Sequence, residues 1–265
     1  MQDWDNLSEQ ISNWILDYAS SNGISTLVVG VSGGIDSAVT SALCAKTGLR
    51  TMVLNMPIQT PRTCFDGLQG PSQYDLSNQH IEWLSTNWDN VESHIIDLSR
   101  VFDSISVELK EKAVDELALA NTRARLRMAT LYSLAGSNNG IVVGTGNKVE
   151  DFGVGFFTKY GDGGVDISPI ADLYKSEVYS LAKALGIIQE IQDAAPTDGL
   201  WDDGRTDEEQ IGATYEELEW AMREIESPSG AEPTVRQSQV MERYLQLNSA
   251  NSHKMKPIPV FKRNH

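Results

Sequence analysis

Gly30-Val31-Ser32-Gly33-Gly34-Ile35-Asp36-Ser37 follows an apolar run, Ile24 to Val29, and precedes a helix-like run, Ala38 to Lys46. This order predicts a strand, a sharp glycine turn and the N-terminus of a helix, with Ser32 as the helix cap. The first backbone N–H groups of a helix have no intrahelical partners and lie at the positive end of its dipole. The stretch therefore predicts a binding site for a phosphate or pyrophosphate group.

The same stretch differs from a Walker A loop, in which Lys and then Ser or Thr follow the last glycine. Here the corresponding region carries Asp36 and Ser37. A carboxylate in this position suits a Mg²⁺-pyrophosphate, because Mg²⁺ takes one or two carboxylates together with phosphate oxygens. The alternative is that Asp36 only complements the helix dipole and Ser32 only caps the helix. Two glycines and two hydroxyls at one strand end favour the anion site.

The size and composition of the chain limit its class. Its 265 residues, 29.2 kDa, suffice for one α/β domain, which we expect to span 1–265. No run approaches the ~18 apolar residues of a membrane span, and the acidic start has no apolar signal region. Cys44 and Cys64 form neither a disulfide framework nor a CxxC pair. We expect a soluble protein in the reducing cytoplasm.

The formal net charge of −16 is spread through the loops and the C-terminal third. Such a field repels nucleic acid, whose binding requires basic patches, so we expect no nucleic-acid partner. If the ligands are anionic nucleotides, the few cations must be concentrated at the site. The candidate cations of the site are Arg125, Lys159, Lys175 and Lys254.

Strand-like runs alternate with helical patterns along the chain. The four runs are Ile24 to Val31, Thr51 to Met56, Ser93 to Leu98 and Gly140 to Gly144. This alternation predicts right-handed crossovers and a parallel sheet flanked by helices, that is, a Rossmann-like α/β fold. Ligands of such sheets bind beyond the carboxyl ends of the strands. The rule places the 30–37 loop and the loop after Val143 on one rim.

Two further strings are unusual. Gly144 to Asp151 is not a dinucleotide fingerprint, because Val149 stands where the third glycine would be, but it could hold a ribose or a metal. Its Glu150, taken alone, is more often an ordinary exposed acid. The second string, Phe156 to Asp166, combines three glycines with aromatics and a lysine, which is typical of a close-fitting loop.

Several predicted helices surround these strings. They are Leu7 to Ala19, Asn121 to Ala135, Tyr174 to Leu185, Tyr215 to Glu226 and Val235 to Leu247. On the second of these, Arg123 and Arg127 share a face while Arg125 points the other way. Lys175 in a first helical turn opposes the dipole, which indicates either a bound anion or a solvent-facing side chain.

The remaining segments leave alternatives open. Pro57 to Ser77 is a long connection that lies beside the site or is a surface insertion without a role. The acidic stretch from Ala195 to Gln210 is interpreted as a mobile loop or lid. The basic tail from Ser252 to Pro259, taken alone, is typical of a frayed end.

Taken together, the strings resemble one family. GVSGGIDS (30–37) resembles the SGGxDS loop of the N-type ATP pyrophosphatases. It is followed in order by ARLRM (124–128), GTGNKVED (144–151), GFFTKYGDGGVDISPIADLYKSEV (155–178), APT (195–197) and SHK (252–254). This series is similar to ammonia-dependent NAD(+) synthetase from about Gly23 onward. One departure is an extra residue between Glu150 and Gly155 relative to many family members.

The resemblance implies a role for each matching residue. Gly30, Val31, Ser32, Gly33, Gly34, Ile35, Asp36 and Ser37 would bind ATP, with further contacts from Thr145, Lys175 and Thr197. Asp36 and Glu150 would hold Mg²⁺. Arg125, Lys159, Asp166, His253 and Lys254 would bind deamido-NAD(+). Of these residues, Ser32, Lys175 and Asp166 are the candidate catalytic residues, with Asp166 orienting the nicotinate end or ammonia.

The resemblance also implies a reaction, in which the nicotinate carboxylate attacks the α-phosphorus of ATP and ammonia then displaces AMP. Glutamine-dependent relatives carry an amidase domain, for which the 265 residues leave no room, so free ammonia is the expected donor unless a partner supplies it. A homodimer is implied too. The competing interpretations are another AMP-transferring enzyme of the superfamily and a non-catalytic nucleotide sensor of the universal-stress type.

Overall fold

A computed structural model of the protein describes residues 2–58, 72–196 and 206–263. Its centre is a four-stranded sheet in the order β3-β2-β1-β4, in which all strand pairs are parallel. The strands are β1 (Thr26–Gly30), β2 (Arg50–Asn55), β3 (Val91–Ile95) and β4 (Gly140–Val142). The predicted parallel α/β sheet is therefore confirmed. β3 begins two residues before the predicted start at Ser93 and ends three residues before the predicted end at Leu98.

Alternation along the strands builds a core on both faces of the sheet. Leu27, Val29 and Val53 belong to one buried cluster, whereas Val28 and Leu54 belong to another on the opposite face. Successive side chains of a strand point to opposite faces, so strands that are covered on both sides are apolar throughout. The first cluster packs against α1 (Trp4–Ser21), α2 (Ile35–Lys46) and α6 (Lys175–Leu185), and the second against α5 (Glu116–Ser137).

The other helices flank this core. They are α3 (Gln73–Asn87), α4 (Ser99–Leu109), α7 (Gln189–Asp193), α8 (Asp207–Ile211), α9 (Tyr215–Glu226) and α10 (Val235–Met255). A third cluster, with Val154, Leu218 and Val240, lies between α9, α10 and the segment 148–154. Among the helices of the described ranges, none has the length and hydropathy that a bilayer crossing requires.

Several predictions about helix boundaries were wrong. α5 begins at Glu116, five residues before the predicted start at Asn121, and Asp115 is its cap. α10 continues to Met255, so the predicted frayed end at 252–255 is helical, because Asn251 and Lys254 donate hydrogen bonds to Val154 O and Phe157 O. α3 begins at Gln73, inside the predicted connection, where Ser72 and Asp75 form a capping box. Residues 59–71 of that connection lie outside the described ranges.

The segment around Glu150 forms an unusual helix. Residues Lys148–Val154 form a π-helix, which Asn147 caps by accepting hydrogen bonds from the N–H groups of Val149 and Glu150. It ends at Gly155, whose φ of 66° is left-handed. A π-helical turn contains one residue more than an α-helical path and is frequent at functional sites. Glu150 lies in this π-helix.

Candidate active site

The 30–37 loop ends β1 and opens α2 as predicted, but Ser32 is not the helix cap. Gly34 takes the N-cap position, with φ −86° and ψ 156°, and the helix receives no side-chain cap. Ser32 Oγ instead accepts a hydrogen bond from Gly34 N–H at 3.2 Å and lies 3.1 Å from Ser37 Oγ. Because the cap is a glycine, the first-turn N–H groups stay uncapped by side chains, as an anion site requires.

Gly33 shows why this loop needs glycine. Its φ is +92°, and a Cβ placed on it would lie 2.4 Å from the backbone oxygen of Gln73. Both the left-handed backbone and the close approach of α3 exclude a side chain. The N-terminus of α3 therefore forms a wall of the loop.

Lys175 lies between two acids from distant parts of the chain. Its Nζ is 2.5 Å from Asp36 Oδ2 and 2.9 Å from Glu150 Oε1, and its side chain is only 3% exposed. We call Asp36, Glu150 and Lys175 the carboxylate–lysine cluster. Asp36 comes from the first turn of α2, Glu150 from the π-helix and Lys175 from the first turn of α6. The structure thus brings three sequence-predicted residues into direct contact.

Burial and charge pairing act against each other at every member of this cluster. Burial alone would lower the pKa of Lys175, but the two carboxylates outweigh that effect and hold the pKa above its ordinary value. Burial raises the pKa of Asp36, although the Lys175 ammonium opposes the shift. At Glu150 burial also favours the neutral acid, but Lys175 and the hydrogen bond from Tyr215 prevail, and its pKa is lowered.

Two residues that the sequence did not single out complete the cluster. Asn147 Nδ2 donates to Asp36 Oδ1 at 3.1 Å. The hydroxyl of Tyr215, at the start of α9, donates to Glu150 Oε1 at 2.5 Å, and its ring centroid lies 4.8 Å from the Lys175 ammonium. Burial and then the charge of Glu150 raise the pKa of Tyr215, so the phenol remains a donor. Asn147 lies in an identified string, whereas Tyr215 resembles an ordinary core aromatic.

The carboxylates of this cluster supply some of the ligands that a divalent cation requires. Asp36 and Glu150 supply carboxylate oxygens that converge on one point, and oxygen is the ligand that Mg²⁺ prefers. In this structure the Lys175 ammonium lies at that point. Within the described ranges no three His, Cys, Asp or Glu residues group as metal ligands do. The pair therefore fits Mg²⁺ in chemistry, with phosphate oxygens required for the other positions.

A second group of predicted residues meets where α5, the 156–164 loop and the end of α10 converge. Lys159 Nζ donates to His253 O at 2.9 Å, Lys254 Nζ donates to Phe157 O at 2.7 Å, and Arg125 Nε donates to Lys159 O at 3.2 Å. We call Arg125, Lys159 and Lys254 the cation cluster. His253 contributes its backbone oxygen, and its ring is exposed.

The three arginines of α5 separate as predicted. Arg125 reaches the 156–164 loop, whereas Arg127 donates to Met56 O and the guanidinium of Arg123 lies 5.1 Å from the centroid of the Phe102 ring. A turn of 100° per residue sends neighbours two positions apart to opposite faces. Only Arg125 of the three belongs to the cation cluster.

Asp151 and Asp162 connect the two clusters, and the sequence did not identify either. Burial raises the pKa of Asp151 well above its ordinary value, and the charges of Asp162, Glu150 and Asp36 add to the shift, while Lys254 opposes it. Asp162 accepts a hydrogen bond from Thr158 N–H at 3.0 Å. The Phe156 N–H donates to Glu150 O at 2.8 Å and the neighbouring Phe157 O accepts from Lys254, so the two clusters lie next to each other.

Asp166 lies apart from these contacts. Its Oδ2 accepts a hydrogen bond from the N–H of Val142 at 2.7 Å, and its Oδ1 accepts one from the Tyr132 hydroxyl at 3.1 Å. The chain here runs beside β4, with a parallel bridge between Val143 and Ile167. The carboxylate thus takes the place of a strand carbonyl, and no contact between described residues joins it to either cluster.

The two predicted threonines have different positions. Thr145 is half-buried and follows the end of β4, on the rim shared with the 30–37 loop. Thr197 lies outside the described residues, as do 198–205 of the predicted lid. Residues 207–210 of that predicted lid are helical and belong to α8.

Comparisons with known proteins converge on one group. A family model described as NAD synthase matches residues 7–258. The NH(3)-dependent NAD(+) synthetase of Methanosarcina mazei is 36% identical over 267 residues, covering 97% of this chain and 98% of the relative. The enzyme of the same name from Archaeoglobus fulgidus is 38% identical over 256 residues, covering 95% and 94%.

Solved structures agree with this result. The NMN synthetase of Francisella tularensis superimposes with a TM-score of 0.83 at 31% identity and covers 99% of this chain and 100% of its own. The NH3-dependent NAD synthetase of Campylobacter jejuni superimposes with a TM-score of 0.76 at 24% identity, covering 99% and 100%, a likeness that concerns the fold.

Proposed function

Because this chain belongs to the NAD synthase family, we propose that it amidates deamido-NAD(+) with ammonia at the expense of ATP, yielding NAD(+), AMP and pyrophosphate. It is thus a ligase that forms a C–N bond. The observation that carries the proposal is the contact of Lys175 with Asp36, from the 30–37 loop, and with Glu150, next to the cation cluster. The carboxylate–lysine cluster and the 30–37 loop suit a triphosphate, and the cation cluster suits an anionic dinucleotide.

The proposed chemistry has two balanced steps. A nicotinate carboxylate oxygen attacks the α-phosphorus of ATP, the bond to the β-phosphate oxygen breaks, and pyrophosphate leaves with that electron pair. Ammonia then attacks the acyl carbon of the acyl-adenylate, the bond to AMP breaks, and a proton is lost from nitrogen. No enzyme nucleophile is needed, so the protein acts by holding two anions in line and by stabilising charge on the phosphates.

Each group of residues has a part in these steps. The uncapped N–H groups after Gly34, the hydroxyls of Ser32 and Ser37, and the Lys175 ammonium would bind the phosphates. Asp36 and Glu150 would hold Mg²⁺, which when bound neutralises phosphate charge. Thr145 and Thr197 would add ATP contacts.

The cation cluster is proposed to bind the anionic substrate. Arg125, Lys159 and Lys254 would contact deamido-NAD(+), together with His253. Asp166 would orient the nicotinate end or ammonia from the neighbouring edge of the sheet, and its hydrogen bonds to Val142 and Tyr132 would fix its direction.

We propose that residues 1–265 form one synthetase domain that uses free ammonia. NH(3)-dependent NAD(+) synthetases match this chain along nearly all of their length, which supports this organisation. We further propose a homodimer in the cytoplasm with neither nucleic-acid nor membrane partners. Sedimentation equilibrium tests the dimer, since a monomeric mass would contradict it.

A second candidate substrate is nicotinate mononucleotide. One solved structure that matches over the whole chain is described as an NMN synthetase. The reacting carboxylate is the same in both substrates, and only the adenylate half of deamido-NAD(+) is missing. The reaction would then yield NMN by the same two steps.

One assay tests both candidates. The protein is incubated with ATP, Mg²⁺ and ammonium, and with either deamido-NAD(+) or nicotinate mononucleotide labelled with ¹⁸O in the carboxylate. We expect equimolar amide product and AMP, with one ¹⁸O in the AMP phosphate, and a higher kcat/KM for the true substrate. Formation of ADP, or unlabelled AMP, would contradict the acyl-adenylate. ATP that binds but is not consumed would indicate the nucleotide sensor instead, and the Asp36→Asn variant provides the inactive control.

A further inference from the structure

A large groove lies between α9 and α10, and no member of either cluster lines it. Helices α9 and α10 and the loop that joins them enclose about 920 Å³, a volume in the range of ligand and peptide sites. Its apolar wall includes Trp220, Met241 and Leu245, and Leu245 is 51% exposed. Glu232 and Glu242 lie on its rim, and of the described residues that line it none is Lys or Arg. We call it the α9–α10 groove; it is apolar inside and acidic outside.

The segment that follows α10 has the complementary character. Residues 256–263, Lys-Pro-Ile-Pro-Val-Phe-Lys-Arg, form what we call the C-terminal tail. Ile258, Val260 and Phe261 are 67%, 76% and 89% exposed. The tail contains three cations and no acid in a chain whose formal net charge is −16. Pro257 and Pro259 restrict φ and favour an extended, polyproline-like backbone.

Chemistry and shape therefore match between the two surfaces. Proline-rich extended segments bind in grooves lined by aromatic side chains, because the extended backbone loses little entropy on docking. The apolar tail residues suit the wall at Trp220, and Lys262 and Arg263 suit the rim at Glu232 and Glu242. We propose that the C-terminal tail of one copy of this chain docks in the α9–α10 groove of a second copy.

The position of the tail favours a second copy over the same chain. The tail leaves α10 at Lys256, whose backbone is extended, and no tail residue is among those that line the groove. Both surfaces are thus exposed in a single copy. If each copy gives its tail to the other, the two contacts are equivalent and the assembly closes with twofold symmetry.

Docking would also act on the active site. The tail begins two residues after Lys254, which donates to Phe157 O in the 156–164 loop. A docked tail anchors the end of α10 and thereby the cation cluster. The proposal concerns a surface outside both clusters, so it does not depend on the identity of the substrate.

Disulfide trapping in the full-length chain tests the proposal. Cys64→Ser provides the background, and the buried Cys44 is left in place. A Val260→Cys chain is mixed with a Leu245→Cys chain under mild oxidation, and mass spectrometry identifies the linked peptides. The matched control replaces Leu245→Cys with Thr86→Cys, an exposed position on α3. We expect at least fivefold more 245–260 linkage than 86–260 linkage.

A charge exchange provides the second arm. Glu232→Lys with Glu242→Lys in the groove chain should lower the yield of the disulfide about tenfold, because like charges then face each other. Adding Lys262→Glu and Arg263→Glu to the tail chain should restore it to within about twofold. Circular dichroism of each variant verifies folding.

Two results would overturn the proposal. A disulfide that forms within the Val260→Cys/Leu245→Cys double variant, with none between chains, would place the tail in the groove of its own chain. Equal trapping at Leu245→Cys and Thr86→Cys would show that the tail does not select the groove. Linkage between chains that responds to the charge exchange supports the docking of a second copy.

Discussion

The carboxylate–lysine cluster and the cation cluster hold their lysines in opposite ways. Lys175 is almost fully buried and its ammonium lies between Asp36 and Glu150. Lys159 and Lys254 instead donate to the backbone oxygens of His253 and Phe157. Neutral carbonyl oxygens orient an ammonium without cancelling its charge. Among the described residues, no carboxylate lies within ion-pair distance of a member of the cation cluster.

The difference shows how a strongly acidic chain can bind two anions. In the carboxylate–lysine cluster the two acids offset the charge of Lys175, so the uncapped N–H groups of α2 and a metal that the two acids would hold must add to the attraction of its ammonium. In the cation cluster no ion pair between described residues offsets the positive charge, so Arg125, Lys159 and Lys254 attract an anion directly. The following variants test this difference between the two clusters.

Lys175→Met should have the largest effect. It keeps the length of the side chain but leaves two buried carboxylates facing each other, and removal of one partner from a buried ion pair costs about 3–5 kcal/mol. We expect that loss in urea unfolding at pH 7 and a fall of more than about a hundredfold in kcat/KM. Lys159→Met is the matched control, with an unfolding free energy within about 1 kcal/mol of the parent. Equal stabilities would refute the contrast.

Tyr215→Phe should weaken the carboxylate–lysine cluster and leave the cation cluster unchanged. The ring stays against Lys175, but Glu150 loses its phenol donor, and a hydrogen bond to a charged group contributes about 1.5–3 kcal/mol. We expect a stability loss in that range, together with a raised KM for ATP and an unchanged KM for the dinucleotide. Tyr244→Phe, a tyrosine of the same apolar cluster, is the control. A change confined to the dinucleotide KM would contradict the assignment.

The helix behind the phosphate loop should respond to pH through His80. Its Nε2 lies 2.9 Å from Ser41 Oγ of α2, and burial lowers its pKa from 6.5 to about 4. Between these values the unfolded chain binds a proton that the folded chain does not, so stability falls as the pH decreases. We expect a contribution of about 2 kcal/mol to the loss between pH 6.5 and 5.

Urea unfolding of the parent and of His80→Gln at several pH values measures this contribution. The stability of His80→Gln should fall less between pH 6.5 and 5 than that of the parent, because glutamine does not titrate. Parallel pH profiles of the two proteins would rule out the titration of His80.

Lys254→Met should have the smallest effect, limited to the cation cluster. Removing the half-buried charge of Lys254 should raise the KM of the dinucleotide about tenfold, equivalent to about 1.4 kcal/mol, while the KM of ATP stays within about twofold. Steady-state kinetics with each substrate varied in turn measures both constants. If both rise equally, the two ends are not separate binding regions.

Sequence patterns located both ends of the site but not their contacts. The glycine turn, Asp36 and Lys175 were found because loop and helix starts have local signals. Ser32 was misassigned as a cap because Gly34 also satisfies that position. Tyr215 was missed because its partner Glu150 lies 65 residues away. The length of α10 was underestimated because its last turn depends on contacts with the 148–157 segment.

By itself the sequence determined the parallel sheet, the turn after β1 and the separation of Arg125 from its neighbours, since strand alternation, glycine turns and helical periodicity are local properties. Only the tertiary structure decided that Lys175 pairs with an acid 139 residues away, that Asp166 bonds to the edge of the sheet, and that the two clusters are neighbours. The reason is that charge pairing and burial depend on distance in space, which no local pattern contains.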